Sequence, residues 1–277
     1  MAVIACVGGL TLDWVDHRAV RFGPNPGGNA LYAAVGAWLA SAVPMIVARV
    51  GEDYPAEILE RIASAGLDTH YVQRISGRSY RVLLAGEPES REVRYLEGSG
   101  DNVSLDCGPA EIPGAALAGV HVCPARPSTQ SSIFRHCRER GIGTTLDILF
   151  VKNKLEPTGD EILRMMPYVD IFLPSWSEIG RIWPGAAPAV SIRRLRSAAH
   201  GPVVIKMGAK GCIGTDGERL LAMPSLSTNV VDTTGAGDAF CGAFNAKWFA
   251  CHDLGLAMAW GSAAASAVIE DLARSML

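Results

Sequence analysis

The stretch Val231-Asp232-Thr233-Thr234-Gly235-Ala236-Gly237-Asp238-Ala239-Phe240 constrains this chain more than any other. The β-branched pair Val230-Val231 predicts the end of a strand. Residues Ala239 to Phe249 are small and apolar and predict a buried helix. A Gly-Ala-Gly turn between the two leaves the first N–H groups of that helix unpaired. With the helix dipole they make a site for an anion. Asp238 falls at that spot. A carboxylate repels phosphate, so it is badly placed for phosphate binding alone. It is well placed to take the proton of a hydroxyl that attacks the phosphate. The segment therefore points to phosphoryl transfer to an alcohol. Asp238 would be the general base, and the N–H groups of Gly235, Ala236 and Gly237 the anion hole. The structural alternative is a tight turn with Asp238 as a helix cap.

Strand-like and helix-like runs alternate along the rest of the chain. Val3 to Val7, Met45 to Val50, Val120 to Cys123, Gly143 to Leu149, Ile171 to Leu173 and Val203 to Met207 predict buried strands. Asn29 to Leu39, Tyr54 to Ala65 (stopped at Gly66), Thr129 to Arg140, Asp160 to Met166 and Ile192 to Ala199 predict helices. This order implies a parallel sheet covered by helices on both faces. Ser79 to Leu96 breaks the pattern. Tyr80, Val82 and Leu84, then Val93 and Tyr95, alternate with polar residues around a Glu87-Pro88-Glu89-Ser90 turn, which predicts an antiparallel hairpin with one wet face. Trp14 to Phe22 offers a second pair of strands.

Composition removes other classes of function. Net charge is −3 with no basic block, which argues against nucleic acid. The seven cysteines are dispersed in apolar runs with no CxxC pair, so they read as reduced, buried thiols and a cytoplasmic setting. The start lacks a basic n-region and reads as a first strand. No run approaches the roughly 18 apolar residues of a membrane span. The six histidines have no metal-ligand spacing, and His121 reads as strand core or pocket wall. Neither a nucleophile elbow nor a Walker phosphate loop is present, and no G-x-G-x-x-G follows the first strand.

Two further segments suit a polyol. Asp13 follows the first strand, at the sheet end where ligands of parallel sheets bind, and a carboxylate there can accept from two hydroxyls. Pro26-Gly27-Gly28-Asn29 opens the next helix. Its glycines allow close approach of a ligand, and the Asn29 amide can both donate and accept. Turn and cap roles are the structural alternatives for both.

The ten-residue stretch resembles the C-terminal signature of the ribokinase-like carbohydrate kinases, the PfkB family, read as DTxGAGD. Asp232, Thr233, Gly235, Ala236, Gly237 and Asp238 all match. The resemblance extends from Asp13 to about Ala265. It implies an ATP- and Mg²⁺-dependent kinase of a sugar or sugar-like molecule. The implied fold is a three-layer α/β/α sandwich with a mainly parallel sheet. Residues 1–277 would form a single kinase domain carrying a small β lid, with lid strands at about 13–23 and 78–97. The apolar face of such a lid also suits a homodimer.

The resemblance also assigns positions. Asp13 falls on the sugar-binding aspartate. Gly27, Gly28 and Asn29 fall on the first signature, where Tyr32 replaces a common Asn; its ring would suit a flatter acceptor. Ser175 and Glu178 fall on an Asn-x-x-Glu motif whose glutamate organises water and Mg²⁺ near the triphosphate. Here Ser stands for Asn, and by spacing alone the pair is also a helix capping box. Lys206, Gly208 and Gly211 fall beside the nucleotide, and Lys210 reads as a solvated charge. Asp232 and Thr234 fall on half of a potassium site, whose other half has no clear match near the chain end. Ser262 to Ser266 fall on the helix flanking the adenine. A nucleoside kinase of the same fold is the nearest rival, with Tyr32, Tyr80 and Trp14 as the base platform. A binding protein with little turnover, motivated by Ser175, is the rival from another class. Whether the acceptor already carries phosphate turns on Arg78, Arg81, Arg94 and Arg126.

Overall fold

The computed structural model describes residues 1–17, 20–86, 92–100, 106–114, 116–150 and 157–270. Strand β1 (Val3–Val7) leads into a hairpin of β2 (Thr11–His17) and β3 (Val20–Gly27). Helix α1 (Asn29–Leu39), β4 (Val43–Gly51), α2 (Ala56–Ser64) and β5 (Val72–Ile75) follow, then a second hairpin of β6 (Tyr80–Ala85) and β7 (Glu92–Tyr95). The chain continues through β8 (Gly119–Val122), α3 (Pro127–Glu139), β9 (Gly143–Leu146), α4 (Gly159–Met165), β10 (Ile171–Phe172), α5 (Trp176–Ile182) and α6 (Pro188–Ala198). It closes with β11 (Val203–Lys206), β12 (Cys212–Thr215), β13 (Leu220–Met223), α7 (Ala236–Cys251) and α8 (Leu254–Ile269).

Nine strands form one sheet in the order β13-β12-β11-β10-β9-β8-β1-β4-β5. It is parallel from β5 to β11, and β12 and β13 add an antiparallel edge. Successive β1 residues serve opposite layers. Ile4 and Cys6 pack with α1, α2, α7 and α8, while Ala5 and Val7 pack with α3, α4, α5 and α6. This period of two, with both faces covered, is why β1 is apolar throughout. Small residues bring α1 and α7 together: a Cβ on Gly242 would lie 1.8 Å from the Ala33 carbonyl oxygen, and one on Gly36 2.0 Å from that of Ala239.

The two hairpins make a separate four-stranded sheet, β3-β2-β6-β7, in which β2 and β6 run parallel. The β6–β7 pair is antiparallel, as the alternation predicts, and the pair of strands expected at Trp14 to Phe22 is present but longer: β2 begins at Thr11, so Asp13 lies within a strand. The predicted turn at Glu87 to Ser90 falls outside the described residues, as does the chain end after Glu270.

Several expectations need correcting. Val230 and Val231 do not end a strand; both are 44% exposed, and the Val231 and Asp232 N–H groups donate to the Ile269 carbonyl at the end of α8. The run from Gly143 leaves the sheet after Leu146. Cys251 is exposed, while Cys6, Cys107, Cys123, Cys137, Cys212 and Cys241 are buried thiols. No helix among the described residues is long and apolar enough to cross a membrane.

Candidate active site

The glycine turn and the start of α7 form the centre of the site. Gly235 takes a left-handed conformation (φ 76°) as the residue before the helix, and a Cβ there would lie 2.2 Å from the Tyr32 ring. Tyr32 therefore lies buried against this turn. Ala236, Gly237 and Asp238 are the first three helical residues. The Ala236 N–H turns back to the Thr233 carbonyl at 3.3 Å. Those of Gly235 and Gly237 have no partner among the described residues, so two of the three expected donors are open.

Asp238 shares its surroundings with three other charged side chains. The Lys206 ammonium, from the end of β11, is 3.2 and 3.1 Å from the two carboxylate oxygens of Asp147 and 3.1 Å from Cys241 Sγ. It is also 3.7 Å from the point that a Cβ on Gly237 would occupy. Burial pushes the Asp238 carboxyl up to about 8, aided by Asp147 and opposed by Lys206. Burial and Asp147 likewise push Glu178 up to about 7. Burial opposes the charge on Lys206, but Asp147, Cys241 and Glu178 hold its ammonium well above the usual range. One cation thus faces three carboxylates, an arrangement with room for further positive charge.

Beneath this cluster lies His121, fully buried, with neither ring nitrogen hydrogen-bonded among the described residues. Burial pushes it down to about 4, so it is neutral. Donor atoms of His121, Asp147 and Cys241 lie within 4.8 Å of one another. The Lys206 ammonium already contacts two of the three, taking the cation's role there.

The acceptor side is built where β2 meets β3 and α1. Asp13 is buried and accepts from the Thr11 hydroxyl. Its carboxylate lies where a Cβ on Gly27 would be, 2.0 Å from one oxygen, so only glycine fits at 27. Gly28 (φ 107°) starts α1, with its α-carbon against the Gly9 carbonyl. Asn29 is inside the helix rather than at its cap, and its Oδ1 accepts from the Gly9 N–H at 2.8 Å. The Tyr80 and Tyr95 rings meet edge to face, centroids 5.7 Å apart, on the strand face that carries Asp13. Trp14 instead packs on the main core, and Tyr32 on the glycine turn, which removes both from the expected aromatic platform.

Ser175 and Glu178 form the capping box that starts α5: the Ser175 N–H donates to Glu178 Oε2 at 2.6 Å, and the Glu178 N–H to Ser175 Oγ at 3.3 Å. Gly208 (φ 57°) and Gly211 (φ 80°) bend the turn from β11 to β12. Asp232 is buried and accepts from the Thr234 N–H at 2.9 Å, while the Thr234 hydroxyl is buried without a partner among the described residues. Ser262 is buried on α8. Asp147 and Cys241 are the members of the cluster that sequence reasoning missed. The signal for Asp147 was a carboxylate inside an apolar, strand-like run, which is rarely buried unpaired.

A family model for pfkB family carbohydrate kinases matches residues 1–273. The chain is 28% identical over 257 residues to the cytidine kinase of Thermococcus kodakarensis, covering 90% of this chain and 88% of that one. Solved structures with the same fold include the aminoimidazole riboside kinase of Salmonella enterica complexed with aminoimidazole riboside and an ATP analogue (TM-score 0.78, 18% identity, 99% of each chain). Another is the fructokinase of Xylella fastidiosa with bound ATP (TM-score 0.80, 17% identity, 97% of this chain and 92% of that one).

Proposed function

From the premise that this chain belongs to the pfkB family of carbohydrate kinases and is a kinase, we propose that it transfers the γ-phosphoryl group of ATP to a hydroxyl of an unphosphorylated sugar or ribosyl acceptor. The observation that carries this reading is Asp238 in the first turn of α7, a turn that carries the open Gly235 and Gly237 N–H groups and lies close to the Lys206 ammonium.

The acceptor hydroxyl loses its proton to Asp238 as its oxygen bonds to the γ-phosphorus, and the bond to the ADP oxygen breaks. The Gly235 and Gly237 N–H groups and Lys206 stabilise the charge on the transferred group. Gly208, Gly211 and Thr234 border the nucleotide, and Ser262 its base. The excess of carboxylates over ammonium fits a divalent cation: Glu178, held by the Ser175 N–H, would hold Mg²⁺ through water. Mg²⁺ would neutralise the phosphates. The Asp232 carboxylate and the unpartnered Thr234 hydroxyl support a monovalent-cation site beside the loop.

Asp13 anchors acceptor hydroxyls beside Asn29, and the small sheet closes over them as a lid that excludes water. Residues 1–277 would act as one kinase domain. Of the four arginines considered for a phosphorylated acceptor, three are engaged by carboxylates, which favours an unphosphorylated one: Arg81 pairs with Asp53, Arg94 with Glu92 and Arg126 with Asp106. The Tyr80–Tyr95 pair favours, as the second reading, a nucleoside whose base lies on the lid face. Phe22 and Val93, exposed on that sheet, support a homodimer through the lid, and the buried free thiols support a cytoplasmic setting.

The test is ADP release with Mg-ATP across pentoses, hexoses, sugar phosphates and nucleosides, for wild type and Asp238→Asn. Turnover with one unphosphorylated class, lost about a hundredfold or more in the variant, is expected. ATP binding without turnover on any acceptor would favour a binding protein, and turnover untouched by Asp238→Asn would remove Asp238 as the base.

A further inference from the structure

We propose that Asp147 is a positioning residue for phosphoryl transfer: its carboxylate clamps the Lys206 ammonium under the first turn of α7, where the transferred group is to lie. Three observations carry this. First, both Asp147 oxygens accept from Nζ, at 3.2 and 3.1 Å, and Cys241 Sγ lies 3.1 Å from it, so one carboxylate and one sulfur fix the position of the ammonium. Second, Asp147 is itself fixed. Gln130, buried in α3, donates to the Cys123 carbonyl at 3.1 Å and the Asp147 carbonyl at 3.0 Å, joining the ends of β8 and β9, and the Ile148 N–H donates to Asp147 Oδ1 at 3.0 Å. Third, the ammonium lies close to the first turn of α7: a Cβ at 237 would be 3.7 Å from Nζ.

A buried ion pair is weak evidence for stability, because well-packed apolar residues serve as well. A charge oriented before the reaction is worth most where negative charge develops in a site closed to water. An unclamped lysine would have to be ordered during each turnover. The pair therefore acts through Lys206 on the phosphoryl group and on Asp238. The groups facing Asp238 are Asp147 after β9, Lys206 on β11, Glu178 on α5, Cys241 on α7 and Cys123 after β8.

The inference rests on Asp238 as the base, and the test separates the two. Wild type, Asp147→Asn, Asp147→Glu, Lys206→Met and Asp238→Asn are compared for kcat, KM and the pH profile of kcat/KM, each checked for folding by thermal melting. Asp147→Asn should lower kcat about tenfold to a hundredfold and change acceptor KM by less than about threefold. Asp238 must be unprotonated to accept the proton. Loss of the Asp147 charge eases its ionisation, so the acid limb moves to lower pH. Loss of the Lys206 charge does the reverse and moves the limb to higher pH. Damage to packing alone moves neither limb. A folded Asp147→Asn with kcat within about twofold of wild type, or with an unmoved limb, overturns the inference. If that variant fails to fold, Asp147→Glu decides. A lowered kcat with the limb in place supports the clamp, and unchanged kcat overturns it. Full turnover by Asp238→Asn would sink the parent reading, whereas an inactive Asp238→Asn beside a normal Asp147→Asn would sink only the clamp.

Discussion

The two ends of the candidate site are built on different sheets. The Asp238 end rests on the nine-stranded sheet, where Lys206, Asp147 and Cys241 hold one another in the interior. The Asp13 end rests on the four-stranded sheet, whose own apolar cluster has, among the described residues, Val15, Val82 and Leu84 buried. The Arg94–Glu92 pair on β7 is superficial, with side-chain exposures of 58% and 62%. A buried, mutually satisfied set of charges is costly to alter one member at a time. A thin sheet with surface ion pairs tolerates substitution. On the proposed reading, the chemistry would be fixed at one end, while the choice of acceptor could vary at the other.

That contrast sets an order of expected effects. Asp238→Asn is expected to lower kcat by about a hundredfold or more with little change in KM, as removal of a general base should. Asp13→Asn should instead raise acceptor KM, with kcat/KM falling about tenfold to a hundredfold, the worth of a charge-assisted hydrogen bond. Steady-state kinetics on both variants would break the division of labour if Asp13→Asn lost kcat alone. Behind the phosphate end, Gly242→Ala would force a methyl onto the Ala33 carbonyl. It should cost roughly 1–3 kcal/mol, read as a lower Tm, while activity per folded molecule is kept.

The phosphate end should also show itself in pH. The Asp238 carboxyl is raised from 3.8 to about 8 in the folded chain. Its neutral form is therefore favoured by folding. That contribution is complete below pH 3.8, declines as pH rises, and is lost through about 8. Without nucleotide or Mg²⁺, wild-type Tm should fall across this window more than that of Asp238→Asn. Equal slopes would place the carboxylate in a better-solvated setting than its neighbours imply.

What could be read from the chain followed the range of each interaction. β1 and α1 occur at the residues their local patterns give, and the Ser175–Glu178 capping box is fixed by a spacing of three. The Lys206–Asp147 contact spans 59 positions and that of Cys241 with Asp147 spans 94, so no local pattern could announce them. Val230-Val231 misled because β-branching reports a preference for extended backbone and not a partner strand. Here the partner is the last carbonyl of α8. The edge strands β12 and β13 were missed for the opposite reason: both are four residues long, and β13 is only half covered.

The smallest effect belongs to the surface of the small sheet, and there a null result is informative. Arg94 opposes Leu83 in the β6–β7 ladder, so it points away from the face shared by Asp13, Val82 and Tyr95. Its guanidinium binds Glu92, two residues away on the same strand. Arg94→Ala should therefore change kcat and acceptor KM by less than about twofold, since an exposed pair of this kind contributes little. The same variant should leave the preference for unphosphorylated over phosphorylated acceptors unaltered. A selective loss of turnover on a sugar phosphate would show that Arg94 leaves Glu92 to meet the acceptor, and the small sheet would then take part in choosing charge as well as shape.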